Sequence, residues 1–205
     1  MPLVFHENIS GNQNLLLWQI VEDEQFLIQL AELIPVELTE LEKLVLAKRR
    51  KEWLCARLLV DMATPGSALM FLPNGKPILN HSAHISISNS GDLVGVTVSS
   101  QTVGLDIQEI NIKIKEISGR FCSGYERMVA ANSHDELSYL TILWSIKEAI
   151  FKCYGENVDF KRHIHVPEFE LEDEIIRAEY NGIHGSKSFE LRHMIIHKKH
   201  ILLTL

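Results

Sequence analysis

The sequence has few cysteines, no long apolar run and no excess of positive charge, and each shortage removes a class of protein. Cys55, Cys122 and Cys153 are the only cysteines in 205 residues, widely spaced and without a CxxC pair. They make no disulfide framework, and buried reduced thiols are expected. None stands in a nucleophile motif with a histidine partner. The formal net charge of −7 argues against nucleic acid as the main partner, because neutralising phosphates takes a basic surface. No apolar stretch approaches the ~20 residues that span a bilayer, so no membrane contact is expected. Met1-Pro2-Leu3-Val4-Phe5-His6 has no basic segment leading into an apolar one; no secretion signal is expected, and the location is expected to be cytoplasmic. Ten histidines suggest a metal, but His163/His165 and His193/His197 lack a third ligand at zinc spacing.

What is present is a globular mixture, 46% hydrophobic and 23% charged, long enough for one large domain or two lobes of about 100 residues each. Leu15-Leu16-Leu17-Trp18-Gln19-Ile20 reads as an early strand. Glu22 to Leu33 reads as a helix stopped by Pro35. Thr39 followed by Glu42 is a capping box predicted to open one long helix to Met62, ended by Pro65-Gly66. On that helix Arg50, Trp53, Leu54 and Arg57 share a face. The two guanidinium groups either lie over the core as solvated charges or form a phosphate clamp. Asn74-Gly75 marks a hairpin turn with Lys76 just past it. His84 to Ser90 alternates as a strand, Leu93 to Val98 pairs with it, and the tip between them is rich in Ser, Asn and Gly.

Val103 to Gln108 alternates too, with Asp106 and Gln108 on one face. A mid-strand carboxylate costs free energy unless a cation pairs with it. Ser123 and Glu126 fit a capping box opening a helix to Ala131. Helix is expected from Asp135 through Trp144-Ser145-Ile146-Lys147-Glu148-Ala149-Ile150-Phe151-Lys152 to a stop at Gly155. Within it Glu148 and Lys152 stack one turn apart, which alone describes an ordinary surface ion pair. From Val158 onward short apolar runs, beginning with His163-Ile164-His165-Val166, suggest antiparallel strands of a second sheet.

Gly75-Lys76-Pro77, Ile87-Ser88-Asn89-Ser90, Gly104-Leu105-Asp106-Ile107-Gln108 and Trp144-Ser145-Ile146-Lys147-Glu148-Ala149, in this order and spacing, resemble the motifs of the 4′-phosphopantetheinyl transferase superfamily. The likeness is to the larger, two-lobed type that activates peptide synthetases, and it covers residues 48–155. It implies an α+β fold of two pseudo-symmetric lobes, 1–101 and 102–205, each a small, mostly antiparallel sheet packed on helices, with the active site between them. It implies transfer of 4′-phosphopantetheine from coenzyme A to a serine of an apo acyl or peptidyl carrier protein, releasing adenosine 3′,5′-bisphosphate. It also implies Mg²⁺, held by Asp106 and Glu148 with Gln108 beside them. Lys152 would stabilise the pyrophosphate, with Lys147 nearby. Glu126 matches a family glutamate that helps deprotonate the serine, so capping and base roles both stand for it. Arg50, Arg57, Lys76, Ser88 and Asn89 would hold coenzyme A, including its 3′-phosphate.

Two departures from the family pattern matter. Gln108 stands where the family strand usually has glutamate and supplies no negative charge. Asn89 stands where the family usually has histidine, and losing a charge-assisted bond there would weaken coenzyme A binding about ten- to thirty-fold, or ~1–2 kcal/mol. These departures keep open an alternative: a degenerate, non-catalytic relative that binds coenzyme A or a carrier protein. Carrier proteins are acidic in this family, and Ile112-Lys113-Ile114-Lys115, read as a loop, is the expected docking patch. Two internal lobes would complete the site within one chain, so a monomer is expected.

Overall fold

A computed structural model describes residues 3–9, 12–34, 39–155, 157–183 and 185–205. The fold is α+β, and the chain divides into two units, Met1–Thr102 and Val103–Leu205. In the first unit β1 (Leu3–Asn8) and β2 (Gln13–Gln19) precede three helices, α1 (Glu24–Ala31), α2 (Thr39–Glu42) and α3 (Ala47–Ala63). The short β3 (Leu69–Phe71) and β4 (Pro77–Leu79), then β5 (His84–Ser90) and β6 (Leu93–Ser99), follow. The main sheet runs β1-β2-β6-β5, antiparallel throughout. Its apolar face takes Leu16, Trp18, Val94 and Val96 against Leu54 and Leu59 of α3, all buried.

The second unit begins with β7 (Leu105–Glu109), followed by α4 (Lys113–Phe121), α5 (Gly124–Asn132), α6 (Glu136–Tyr154) and α7 (Phe160–His163). It ends with β8 (Ile164–His165), β9 (Ile175–Gly182), β10 (Gly185–Ile196) and β11 (Lys199–Thr204). The sheet order is β7-β11-β10-β9-β8, again antiparallel. Thus β7, first in sequence, lies beside the last strand. The core joins Ile142, Ile146 and Ile150 of α6 to Tyr180, Leu191 and Leu202 of the sheet.

Local signals account for most boundaries. Asp23 caps α1, accepting from Phe26 N, and Asp135 caps α6, accepting from Ser138 N. Gly155 ends α6 at φ 89°, a left-handed conformation that glycine adopts without penalty. Pro35, expected to stop α1, lies outside the described residues. Three expectations are corrected. The helix expected from Thr39 to Met62 is two helices, because the chain turns at Lys43–Leu46 and Arg50 Nη1 donates to the carbonyls of Leu44 and Val45 at 3.0 and 2.9 Å. Residues 112–115, read as a loop, enter helix α4, where Ile114 is buried beneath exposed Lys113 and Lys115. The strand expected over His163–Val166 is a two-residue strand preceded by one helical turn capped by Asp159.

Two histidines of the second sheet are buried together. His193 Nε2 and His200 Nδ1 lie 3.0 Å apart, and His193 Nδ1 is 3.2 Å from the carbonyl of Asp173. Burial and the neighbouring ring push the His200 imidazole down to about 4, and burial lowers His193 as well. The unfolded chain therefore takes up protons below its ordinary histidine pKa near 6.5 while the folded chain does not. Stability is complete above that pH and falls as the pH drops toward 4. The expected loss attributable to His200 is about 3 kcal/mol. Urea unfolding between pH 7 and pH 4.5 measures it: His200→Phe should show a shallower decline than the parent, and parallel pH profiles would contradict this.

Candidate active site

The close approach of β7 to α6 builds the polar centre of the second unit. Gly104 sits directly before β7, and a Cβ there would come within 1.8 Å of the Ala149 carbonyl oxygen. Glycine is required because any side chain would push the helix off the strand. At this separation Lys152 Nζ reaches Asp106 Oδ1 and the Leu105 carbonyl, each at 2.8 Å. The Gln108 amide nitrogen donates to Asp106 Oδ2 at 3.1 Å. Asp106 is almost fully buried, so its charge is matched by an ammonium on one oxygen and a neutral donor on the other. Asp106, Gln108, Glu148 and Lys152, named from the sequence as one site, come together here.

Glu148 is the strained member of the group. Burial, and then the like charge of Asp106, push its carboxyl up to about 7, while Lys152 pulls the other way. Asp106 and Glu148 bring two carboxylates together, and a hard dication there would relieve the repulsion that raises Glu148, while Gln108 presents its amide nitrogen to Asp106. Mg²⁺ commonly uses one or two carboxylates and keeps waters and phosphate oxygens as its other ligands.

Lys147, one residue away, faces a different environment. Its side chain is fully buried and its Nζ lies 2.8 Å from Glu126 Oε2, 2.9 Å from the Phe121 and Phe160 carbonyls and 3.1 Å from the Ile164 carbonyl. Glu126 is 2% exposed and also accepts from Ser123 N and Val166 N. The Ser123–Glu126 capping box is complete. Lys147 and Glu126 therefore tie α4, α5, α6, α7 and the strand end together, and do not join Glu148 and Lys152. Burial lowers the Lys147 ammonium, with Glu126 opposing.

In the first unit the basic run on α3 is neutralised from within. Lys48 and Arg49 pair with Glu52, Lys51 donates to the Glu22 carbonyl, and Arg50 makes a two-pronged contact with Glu24 at 2.6 and 2.9 Å. Arg57 differs: its guanidinium stacks 3.3 Å over the Trp53 ring and makes no ion pair among the described residues. Burial pulls it down to about 10. It lines a groove of 340 Å³ with Trp53, Phe71, Gly75, Pro77 and Asn89. Lys76 is half-buried between the last two hairpin residues named. Ser88 is buried and, by strand alternation, faces away from Asn89. The groove thus gathers Arg57, Asn89 and the Lys76 turn, but neither Arg50 nor Ser88. The aromatic walls Trp53 and Phe71 were not singled out from the sequence as site residues; the i,i+4 spacing of Trp53 and Arg57 was the available signal.

Comparison with known proteins follows the same division. Residues 102–202 match the family model of the 4′-phosphopantetheinyl transferase superfamily. The 4′-phosphopantetheinyl transferase psf-1 of Bacillus pumilus is 35% identical over 91 residues, 42% of this chain and 39% of that protein. The 4′-phosphopantetheinyl transferase Sfp of Bacillus subtilis is 34% identical over 88 residues, 41% and 39% of the two chains. The 4′-phosphopantetheinyl transferase gsp of Aneurinibacillus migulanus is 32% identical over 101 residues, 46% and 41%. The matched region thus spans about two-fifths of the length of each curated relative.

Removing one partner of the buried Lys147–Glu126 pair should destabilise the fold severely. Lys147→Met is expected to cost about 3–5 kcal/mol, because an unpaired carboxylate is left in the core. Adding Glu126→Gln, which removes the charge and keeps one of the two acceptor oxygens used by Ser123 N and Val166 N, should recover part of that loss in chemical denaturation. A double variant less stable than Lys147→Met alone would refute the ion-pair account.

Proposed function

Because the second unit of this chain belongs to the 4′-phosphopantetheinyl transferase superfamily, we propose that the protein transfers 4′-phosphopantetheine from coenzyme A to a serine of an apo acyl or peptidyl carrier protein, releasing adenosine 3′,5′-bisphosphate. The observation that carries the proposal is the convergence of Asp106, Glu148 and Lys152, with Lys152 Nζ 2.8 Å from Asp106 Oδ1 and Glu148 raised beside the same carboxylate. Two acids and one ammonium at one point suit a pyrophosphate whose leaving phosphate gains charge as the anhydride bond between the two phosphorus atoms breaks and the serine oxygen takes its place.

Asp106 and Glu148 would hold Mg²⁺, with Gln108 beside them orienting Asp106 through its amide nitrogen. A cation held by these carboxylates would supply Lewis-acid polarisation of the pyrophosphate. Lys152 stabilises the leaving phosphate, and its bond to Asp106 keeps the ammonium in place meanwhile. Glu126 is enclosed with Lys147, so its part is to hold the start of α5 and the frame of α6, not to take the serine proton. Arg57 and Lys76 would bind the anionic part of coenzyme A, with Asn89 as a neutral donor in the same groove. A half-buried guanidinium that makes no ion pair among the described residues and donates to the Trp53 carbonyl favours an anionic ligand.

The direct test incubates the protein with coenzyme A, Mg²⁺ and an apo carrier protein and measures the intact mass of the carrier. A phosphopantetheine mass increase is expected, with rates at least about 100-fold lower for Glu148→Gln and for Lys152→Met. No mass increase across fatty-acid, polyketide and peptide carriers would sink the proposal.

Carrier recognition is assigned to the start of α4. Lys115 is engaged by Glu136 at 2.5 Å, while Lys113 is exposed beside exposed Ile110 and Ile112. An acidic helix would meet both charge and apolar surface there. Lys113→Glu with Lys115→Glu is expected to raise KM for the carrier several-fold and leave KM for coenzyme A unchanged. Equal changes in both would reject the docking role.

A further inference from the structure

Ser138, Thr141, Ser145, Glu148 and Lys152 follow one another three and four residues apart along α6, so they form one polar stripe. Three of the five have partners on the protein. Ser138 Oγ donates to Asp135 Oδ2 at 2.6 Å, Thr141 Oγ1 to the Leu137 carbonyl at 2.7 Å, and Lys152 to Asp106 at 2.8 Å. The two between them differ. Ser145 is fully buried, and its hydroxyl has no hydrogen-bond partner among the described residues. No described residue hydrogen-bonds the half-buried Glu148 carboxyl either, and its energy is set by burial, Asp106 and Lys152.

A buried hydroxyl without a partner gives up the bonds it had to water, and in folded proteins such a group most often holds an ordered water. The two unsatisfied groups are neighbours. Residues three apart on a helix have Cβ atoms about 5–6 Å from each other, and helical side chains lean toward the N-terminus. The Glu148 side chain therefore lies back over the turn that carries Ser145. Such a separation is one that a single water spans, accepting a hydrogen bond from the serine hydroxyl and donating one to the carboxylate.

We propose that Ser145 is a positioning residue for Glu148, donating through one ordered water to its carboxylate and holding that carboxylate turned toward Asp106. The inference rests on the reading of Asp106 and Glu148 as metal ligands. Outer hydrogen-bond partners of metal-binding side chains set ligand orientation, and their loss commonly weakens metal affinity about 10–100-fold. Catalysis by Ser145 itself is not involved, since its hydroxyl acts only through Glu148.

Mn²⁺ serves as the probe, its affinity for the full chain with coenzyme A present being measured by electron paramagnetic resonance. Ser145→Ala is expected to weaken Mn²⁺ binding about tenfold. Its melting temperature should stay close to the parent's, because alanine breaks no hydrogen bond to another described residue. Ser145→Ala binding Mn²⁺ like the parent while Glu148→Gln binds it more weakly would overturn the inference and leave the metal site standing. Unchanged binding in Glu148→Gln would overturn the metal reading and this inference with it. A lowered melting temperature with unchanged Mn²⁺ affinity would mark Ser145 as a structural hydroxyl and also refute the proposal.

Discussion

The second unit depends on the contact of β7 with α6, made possible by the missing side chain at Gly104. A methyl group there would collide with the Ala149 carbonyl, and a helix displaced to make room would lift Lys152 from Asp106. Those two residues are 46 positions apart in sequence and meet at 2.8 Å. Their partnership lets a carboxylate be buried in mid-strand, which would otherwise be prohibitive. The same closeness brings Glu148 against Asp106 and raises its carboxyl to about 7. One glycine therefore supports both a stabilising contact, Lys152 with Asp106, and a repulsive one, Glu148 against Asp106.

Lys147 and Glu148 show how a helix separates adjacent residues. A step of about 100° along α6 sends one ammonium into a sealed cage of three carbonyls and Glu126, and the next carboxylate toward β7. The cage gathers α4, α5, α7 and the end of β8 around the middle of α6. Such a pair is costly to desolvate and tolerates no loss of either partner, but it specifies one arrangement of the surrounding helices. It also separates two lysines that look alike in the Trp144–Lys152 segment: Lys147 is architectural and Lys152 reaches the polar centre.

The first unit treats its charges differently. Four consecutive basic residues, Lys48 to Lys51, are each taken up by carboxylates or carbonyls of the same unit. Arg57, two turns after Arg50, is left stacked on Trp53 at the wall of a groove. Cationic density in the sequence thus does not say which basic residues are taken up within the unit: the four consecutive ones are, while the half-buried Arg57 makes no ion pair among the described residues.

Periodicity and capping residues were enough to locate α6, its Asp135 start and Gly155 stop, the β5–β6 hairpin and the alternation of β7, because each depends on neighbours a few residues away. They did not join Asp106, Gln108, Glu148 and Lys152 into one site: only the resemblance of four short motifs to those of the superfamily did that, and local spacing alone read Glu148 and Lys152 as a surface ion pair. They failed where a distant group intervened. Arg50 draws the carbonyls of Leu44 and Val45 and binds Glu24, so a continuous helical pattern is broken into α2 and α3. The β7–β11 pairing joins the two ends of the second unit, a register no local pattern encodes. Burial likewise belongs to the assembled fold: it encloses Glu126 with Lys147, leaves the Ser145 hydroxyl without a partner and raises the carboxyl of Glu148. The physical reason is common to all of these. Hydrogen-bond satisfaction and the dielectric around a charge are set by atoms brought in from elsewhere in the chain, while helix caps and strand alternation are set by atoms a residue already has beside it.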